Sequence, residues 1–156
     1  MQVRRYSSGC GAIVSGIDLA SFSDAELQEL RKHFLEHGVL FFEGQTLTPE
    51  DHIAFARRFG SIVVNKFFPE NTEHPEIAEV RKEKEQRTNI GGGWHADHSY
   101  DEEPALGSIL VARELPEAGG DTMFANMFAA YDALSDGLKR TLGGLRIELD
   151  GHNLAF

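Results

Sequence analysis

Residues 23–44 specify a helix followed by a strand so plainly that they fix what the rest of the chain must pack against. Ser23, followed three residues later by Glu26, has the spacing of a capping box, in which each side chain satisfies a backbone donor orphaned by the first helical turn. Leu27, Leu30, Phe34 and Leu35 then recur on one helical face, and Gly38 stands where a helix takes its C-terminal cap. Val39-Leu40-Phe41-Phe42 follows, apolar throughout and bounded by Gly38 and Gly44, which is the pattern of a buried strand. A second helix starts with Thr48 as N-cap and Pro49 at the first helical position, where its missing N–H costs nothing. Its expected buried residues are Ile53, Ala56 and Phe59, and Gly60 ends it.

The flanking segments carry weaker signals. Upstream, Ile13-Val14 and Ile17-Asp18-Leu19 are interleaved with Gly and Ser and read as short strands and turns. Downstream, 61–64 and 76–81 read as short strands, with an irregular stretch between them. Residues 82–93 are charged and then glycine-rich, with no apolar period, and read as a mobile loop leading into Trp94. Such a loop is either a solvated connector or a lid. Residues 105–115 are long enough for a central strand, 116–120 for a turn and 121–124 for a returning strand. Two helices are expected over 127–134 and 135–142, broken near Gly137, and a strand over 145–149. With no internal repeat or linker, residues 1–156 read as a single domain.

Composition narrows the function classes. The chain has 15 basic and 25 acidic residues, a formal charge of −10, and no basic stripe, which argues against a phosphate backbone as partner. A single cysteine, Cys10, excludes an internal disulfide framework and suits a reducing, cytoplasmic compartment. The apolar run 39–42 is far short of the ~20 residues that span a bilayer. The 11 phenylalanines suffice for a real interior.

His95 and Asp97 carry the chemistry. Two residues apart on a strand, an imidazole and a carboxylate point to the same side and can converge on one cation. That pairing suits a 2-His-1-carboxylate site for non-haem Fe(II), with positions left open for small ligands. By spacing alone the signal is weak, and the surface or structural reading of such a pair is the commoner one.

Context resolves the choice. Trp94-His95-Ala96-Asp97, followed by a long apolar segment and the turn Gly119-Gly120-Asp121-Thr122, resembles the corresponding stretch of the taurine dioxygenase (TauD/TfdA) family. The upstream strings GCGAIVSGIDLASFSDAEL, HGVLFFEGQTLTPEDHIAFARRFG and HPEIAEV resemble the N-terminal pattern of that family, in order and over nearly the whole chain. The resemblance implies an Fe(II)- and 2-oxoglutarate-dependent dioxygenase that hydroxylates a small anionic substrate with O2, giving succinate and CO2. It implies His95 and Asp97 as iron ligands and Thr122 as a hydroxyl donor to a 2-oxoglutarate carboxylate. Trp94 would stand beside the site as a wall or be a core residue. His98 faces away from Asp97 in an ideal strand, and a bend after the ligand would turn it into the substrate pocket. The implied fold is α+β and mainly β, a double-stranded β-helix of the jelly-roll, clavaminate synthase-like kind with flanking helices. Self-association is common in such relatives.

The family also needs a distal His and an Arg for the far carboxylate of 2-oxoglutarate. His152 is the sole histidine after His98 and sits in a turn-like Asp-Gly-His-Asn string, and neither Arg140 nor Arg146 matches the Arg motif. The chain is therefore expected to be the N-terminal part of a longer enzyme, weak in metal binding and turnover alone. The rival reading is a non-catalytic binding or assembly domain on a degenerate oxygenase scaffold. A cupin-type Zn or Mn protein would need two further histidines near His95, and only His98 is available.

Overall fold

The computed structural model describes residues 1–68, 71–87 and 91–149. In chain order its elements are β1 (Gln2–Arg5), β2 (Ala12–Ser15), α1 (Asp24–His37), β3 (Leu40–Phe42), α2 (Pro49–Phe59), α3 (Met127–Asp132) and α4 (Asp136–Leu142). They fall into two compact units, one of Met1–Leu47 with Val111–Arg146, the other of Thr48–Leu110 with the remaining C-terminal residues.

The first unit is built on a three-stranded sheet in the order β1-β2-β3. β1 and β2 pair antiparallel, with Gln2 opposite Ser15 and Arg5 opposite Ala12. β2 and β3 pair in parallel, Ala12 with Leu40 and Val14 with Phe42, and parallel neighbours need a crossover connection, which α1 supplies. Ser23 and Glu26 form the full capping box, and Gly38 closes α1 in the left-handed conformation at φ 73°. Ala12, Val14, Leu27 and Leu30 are buried between sheet and helix, together with Ile17, Leu19 and Leu47 of the adjoining loops. Gln45 ties those loops down: its side-chain oxygen accepts from the Leu19 N–H at 3.1 Å and its amide donates to the Ile17 carbonyl at 3.0 Å. Leu35, expected on the inner face, is 81% exposed. It lies one position past the i, i+3, i+7 stripe of Leu27, Leu30 and Phe34, so it faces solvent.

Gly11 joins the first hairpin to the helix end. Its N–H donates to the His37 carbonyl at 2.9 Å and the next N–H, of Ala12, donates to the Val39 carbonyl at 2.9 Å. At φ +90°, and with only 2.9 Å between a built Cβ and the Phe41 ring, the position is restricted to glycine. Tyr6 and Phe124 flank the same Phe41 ring, at centroid distances of 5.1 and 6.1 Å.

In the second unit α2 carries a capping box that sequence reading overlooked, with Asp51 standing in for the usual Glu at the third position after Thr48. Its inward face differs from the expected one. Phe55 is the buried residue, while Ile53, Ala56 and Phe59 are intermediate. The rings of Phe55 and Phe59 meet at 5.2 Å, and His52, one turn before Phe55, reaches the Ile109 carbonyl at 3.1 Å. The stripe that packs is therefore 52–55–59, with the bulky aromatic taking the interior.

Several expected strands are absent. Residues 61–64, 76–81, 105–115, 121–124 and 145–149 have no strand pairing. Apolar content marks a segment that can be buried, but a strand exists only where a second backbone completes its ladder. The described residues thus show a small sheet with helices, and not the jelly roll implied by the resemblance. The helices over 127–142 are present, but their interruption lies at 133–135 and not near Gly137, because Ser135 caps α4 by accepting from the Leu138 N–H. No helix among the described residues is long and apolar enough to cross a membrane.

Candidate metal centre

The segment of the candidate ligands His95 and Asp97 is entered through three glycines. Gly91 has φ +66°, and a Cβ there would lie 3.2 Å from Cε1 of His95, so the bare backbone makes room for the imidazole. The Gly93 carbonyl then stands 2.8 Å from His95 Nδ1. A carbonyl can only accept, so Nδ1 is the donor in that contact, and Nε2 is the nitrogen that faces Asp97, whose Oδ1 is 3.2 Å away.

Neither residue is in a strand, contrary to expectation. The backbone has no regular structure over 94–96 and turns from Asp97 to Tyr100, and second contacts fix each side chain. Ser108 donates its hydroxyl to Asp97 Oδ2 at 2.8 Å, leaving Oδ1 as the oxygen aimed at His95. The Ser108 contact was invisible in the sequence, since a hydroxyl 11 positions from its acceptor follows no spacing rule. Two lone-pair atoms 3.2 Å apart repel each other unless a cation or a proton lies between them. First-row metal–nitrogen and metal–oxygen bonds of about 2.1 Å put neighbouring ligand atoms about 3 Å apart at right angles. The pair fits two adjacent ligands of one ion, and each ligand has the second contact that orients metal-binding side chains. Both side chains are more than half exposed, so the position is open to solvent and small ligands.

His98 follows with φ 55°, the one non-glycine in the left-handed region among the described residues. This is a bend directly after Asp97. It turns the His98 ring into a half-buried position where Nδ1 pairs with Asp101 Oδ2 at 2.7 Å. Tyr100 packs edge-on against Phe67 at 5.5 Å, and its hydroxyl is pushed above its ordinary range by loss of solvent and by the carboxylates of Asp101 and Asp97. Trp94 is 71% exposed and so is not a core residue. In the same unit a cavity of about 370 Å³ is lined in part by Asn65, Lys66 and Phe68.

Thr122 belongs to the first unit and is exposed, just after a turn in which Gly119 and Gly120 both have positive φ. His152 lies outside the described residues.

Comparison with known proteins bears on this geometry. Residues 2–152 match the family described as taurine catabolism dioxygenase TauD, TfdA family. The chain is 39% identical over 132 residues to an (S)-phenoxypropionate/alpha-ketoglutarate-dioxygenase of Sphingobium herbicidovorans, covering 83% of this chain and 46% of that protein. It is 36% identical over 161 residues to an alpha-ketoglutarate-dependent 2,4-dichlorophenoxyacetate dioxygenase of Cupriavidus pinatubonensis, covering 92% and 56%. The crystal structure of a taurine dioxygenase from Burkholderia xenovorans superposes with a TM-score of 0.81 at 32% identity, covering 92% of this chain and 51% of that one. The chain spans about half the length of the curated relatives it matches.

Proposed function

The chain belongs to the TauD, TfdA family of dioxygenases, and from that premise we propose that it provides the His-x-Asp part of an Fe(II)- and 2-oxoglutarate-dependent oxygenase acting on a small anionic substrate. The observation that carries the reading is the 3.2 Å approach of His95 Nε2 to Asp97 Oδ1, each held by a second contact. Iron bound there would supply O2 activation coupled to decarboxylation of 2-oxoglutarate, with succinate and CO2 as products. The protein's own residues hold and orient. The Gly93 carbonyl keeps the proton on Nδ1 of His95, and Ser108 keeps Oδ1 of Asp97 turned to the ion. Thr122, by resemblance to the family, donates its hydroxyl to a cosubstrate carboxylate.

Substrate choice is assigned to the cavity at Asn65, Lys66 and Phe68. Its volume, about 370 Å³, suits a small molecule, and it combines one ammonium with an apolar wall. Lys66 would pair with a carboxylate or sulfonate while Phe68 covers the organic body. His98 and Trp94 are proposed as further contacts of the substrate region. Relatives act, by name, on phenoxypropionate, dichlorophenoxyacetate and sulfonates, so an aryloxy acid or a sulfonate is the substrate class proposed.

The complete fold is read as a jelly roll with flanking helices, supported by the match to a taurine dioxygenase structure. Self-association and a cytoplasmic setting are proposals too, the latter supported by the lone Cys10. A non-catalytic assembly role is not favoured, because the similar proteins bear the names of oxygenases.

An anaerobic titration tests the assignment. Fe(II) with 2-oxoglutarate should give a visible charge-transfer band that His95→Ala abolishes. A band of equal intensity in His95→Ala would overturn it.

A further inference from the structure

A second group of metal-ligating side chains stands on the last turns of α1. One atom each from His33, Glu36 and His37 lies within 4.8 Å of the others. Glu36 Oε2 is the shared vertex, 3.8 Å from His33 Nδ1 and 3.9 Å from His37 Nε2. The two imidazoles, one helical turn apart, stack at 5.8 Å with their planes only 11° from parallel. Their side chains are mostly buried, at 22% and 13% exposure, whereas Glu36 remains open to solvent at 60%.

Ordinary helix surface does not account for this arrangement. His33 Nδ1 is buried and has no hydrogen-bond partner, a costly state for an imidazole nitrogen. The end of the helix favours a cation as well. His37 is the last residue of α1, so a cation here meets the partial negative charge of the unsatisfied carbonyls at the helix C-terminus. Glu29, four residues before His33, adds a further carboxylate 4.0 Å from His33 Nε2.

We propose that His33, Glu36 and His37 form a second metal site, separate in sequence and in donor set from His95 and Asp97, that takes Zn(II). Two imidazoles and one carboxylate, with water completing the shell, are a donor set that zinc accepts and that the late first-row order favours over Fe(II). Ligand atoms on zinc stand about 3.3 Å apart, so the observed 3.8 and 3.9 Å edges close with small side-chain rotations. The site has a structural consequence of its own. The His37 carbonyl accepts the Gly11 N–H at 2.9 Å, so an ion gripping His37 would stiffen the joint between α1 and the sheet.

The test uses the chain with His95→Ala and Asp97→Ala, so that its outcome does not depend on the iron assignment. Zn(II) is titrated against a chromophoric chelator, and the imidazole nitrogens are followed by 15N NMR. One equivalent should bind, moving the His33 and His37 resonances. Adding His33→Ala and His37→Ala should abolish binding, and Glu36→Gln should weaken it by about tenfold or more. Unchanged stoichiometry in the His33→Ala, His37→Ala chain would refute the site. So would His33 and His37 resonances that stay fixed at saturating Zn(II), a readout that needs no substitution in α1 and holds even if those variants fail to fold.

Discussion

Ser108 donates its hydroxyl to Oδ2 of Asp97 at 2.8 Å, and in doing so decides which carboxylate oxygen faces His95. Removing that hydroxyl leaves both proposed ligands in the chain but lets the carboxylate rotate. Ser108→Ala is expected to weaken Fe(II) or Mn(II) binding by about 10–100-fold, the usual cost of losing a contact behind a metal ligand. Metal titration by calorimetry checks this, and an affinity equal to the parent would remove Ser108 from the site.

The core of the first unit makes a sharper stability contrast than the sequence suggests. Leu30 has no exposed surface and Leu35 is 81% exposed, although both were assigned to one face. Leu30→Ala should cost about 2–5 kcal/mol. Leu35→Ala should change stability by no more than about 0.5 kcal/mol. Urea denaturation of the two variants measures both, and equal losses would contradict the packing.

At Gly11 two penalties coincide. A methyl group would stand 2.9 Å from the Phe41 ring, and the backbone sits at φ +90°. Gly11→Ala is therefore expected to destabilise the first unit by about 1–3 kcal/mol. Pairing it with Phe41→Leu should recover the steric part and leave the backbone part, which thermal denaturation of the two variants would separate.

The capping box of α1 gives a pH dependence with a definite sign. The backbone N–H of Ser23, and then its hydroxyl, hold Glu26 below the ordinary carboxylate value of 4.5. The folded state thus favours the ionised form. Its contribution is complete above the unfolded value and is lost as pH falls through the lower folded one. Denaturation midpoints measured from about pH 6 down to about pH 3 should fall less steeply in Glu26→Gln than in the parent. Parallel profiles would show that the carboxylate contributes nothing.

Local signals were legible wherever the interaction spans a few residues. Ser23 with Glu26, Gly38, Thr48 with Pro49, and Gly60 all sit at the helix ends expected of them. What failed needed information from elsewhere in the chain. Residues 105–115 have the composition of a strand, yet only a neighbouring backbone makes one. Phe55 outranks Ile53 and Ala56 because of what α2 meets, with Phe59 and the Ile109 carbonyl on the same side. The candidate site shows the same division. Motif and resemblance single out His95 and Asp97 as candidates, but strand alternation does not account for their approach. Neither lies in a strand, and the Gly93 carbonyl and Ser108 that contact them follow no sequence pattern.

The parallel pairing of β2 with β3 around α1 also sets an order of events in time. Every contact of that crossover closes between Ala12 and Phe42, so its loop-closure entropy is small and its helix has strong local signals at both ends. It can assemble before the segment bearing His95 and Asp97 has left the ribosome. Substitutions such as Leu30→Ala should then slow refolding, while those at 91–110 should mainly hasten unfolding. In this chain the β2–α1–β3 crossover would be in place before the segment bearing the candidate ligands is made.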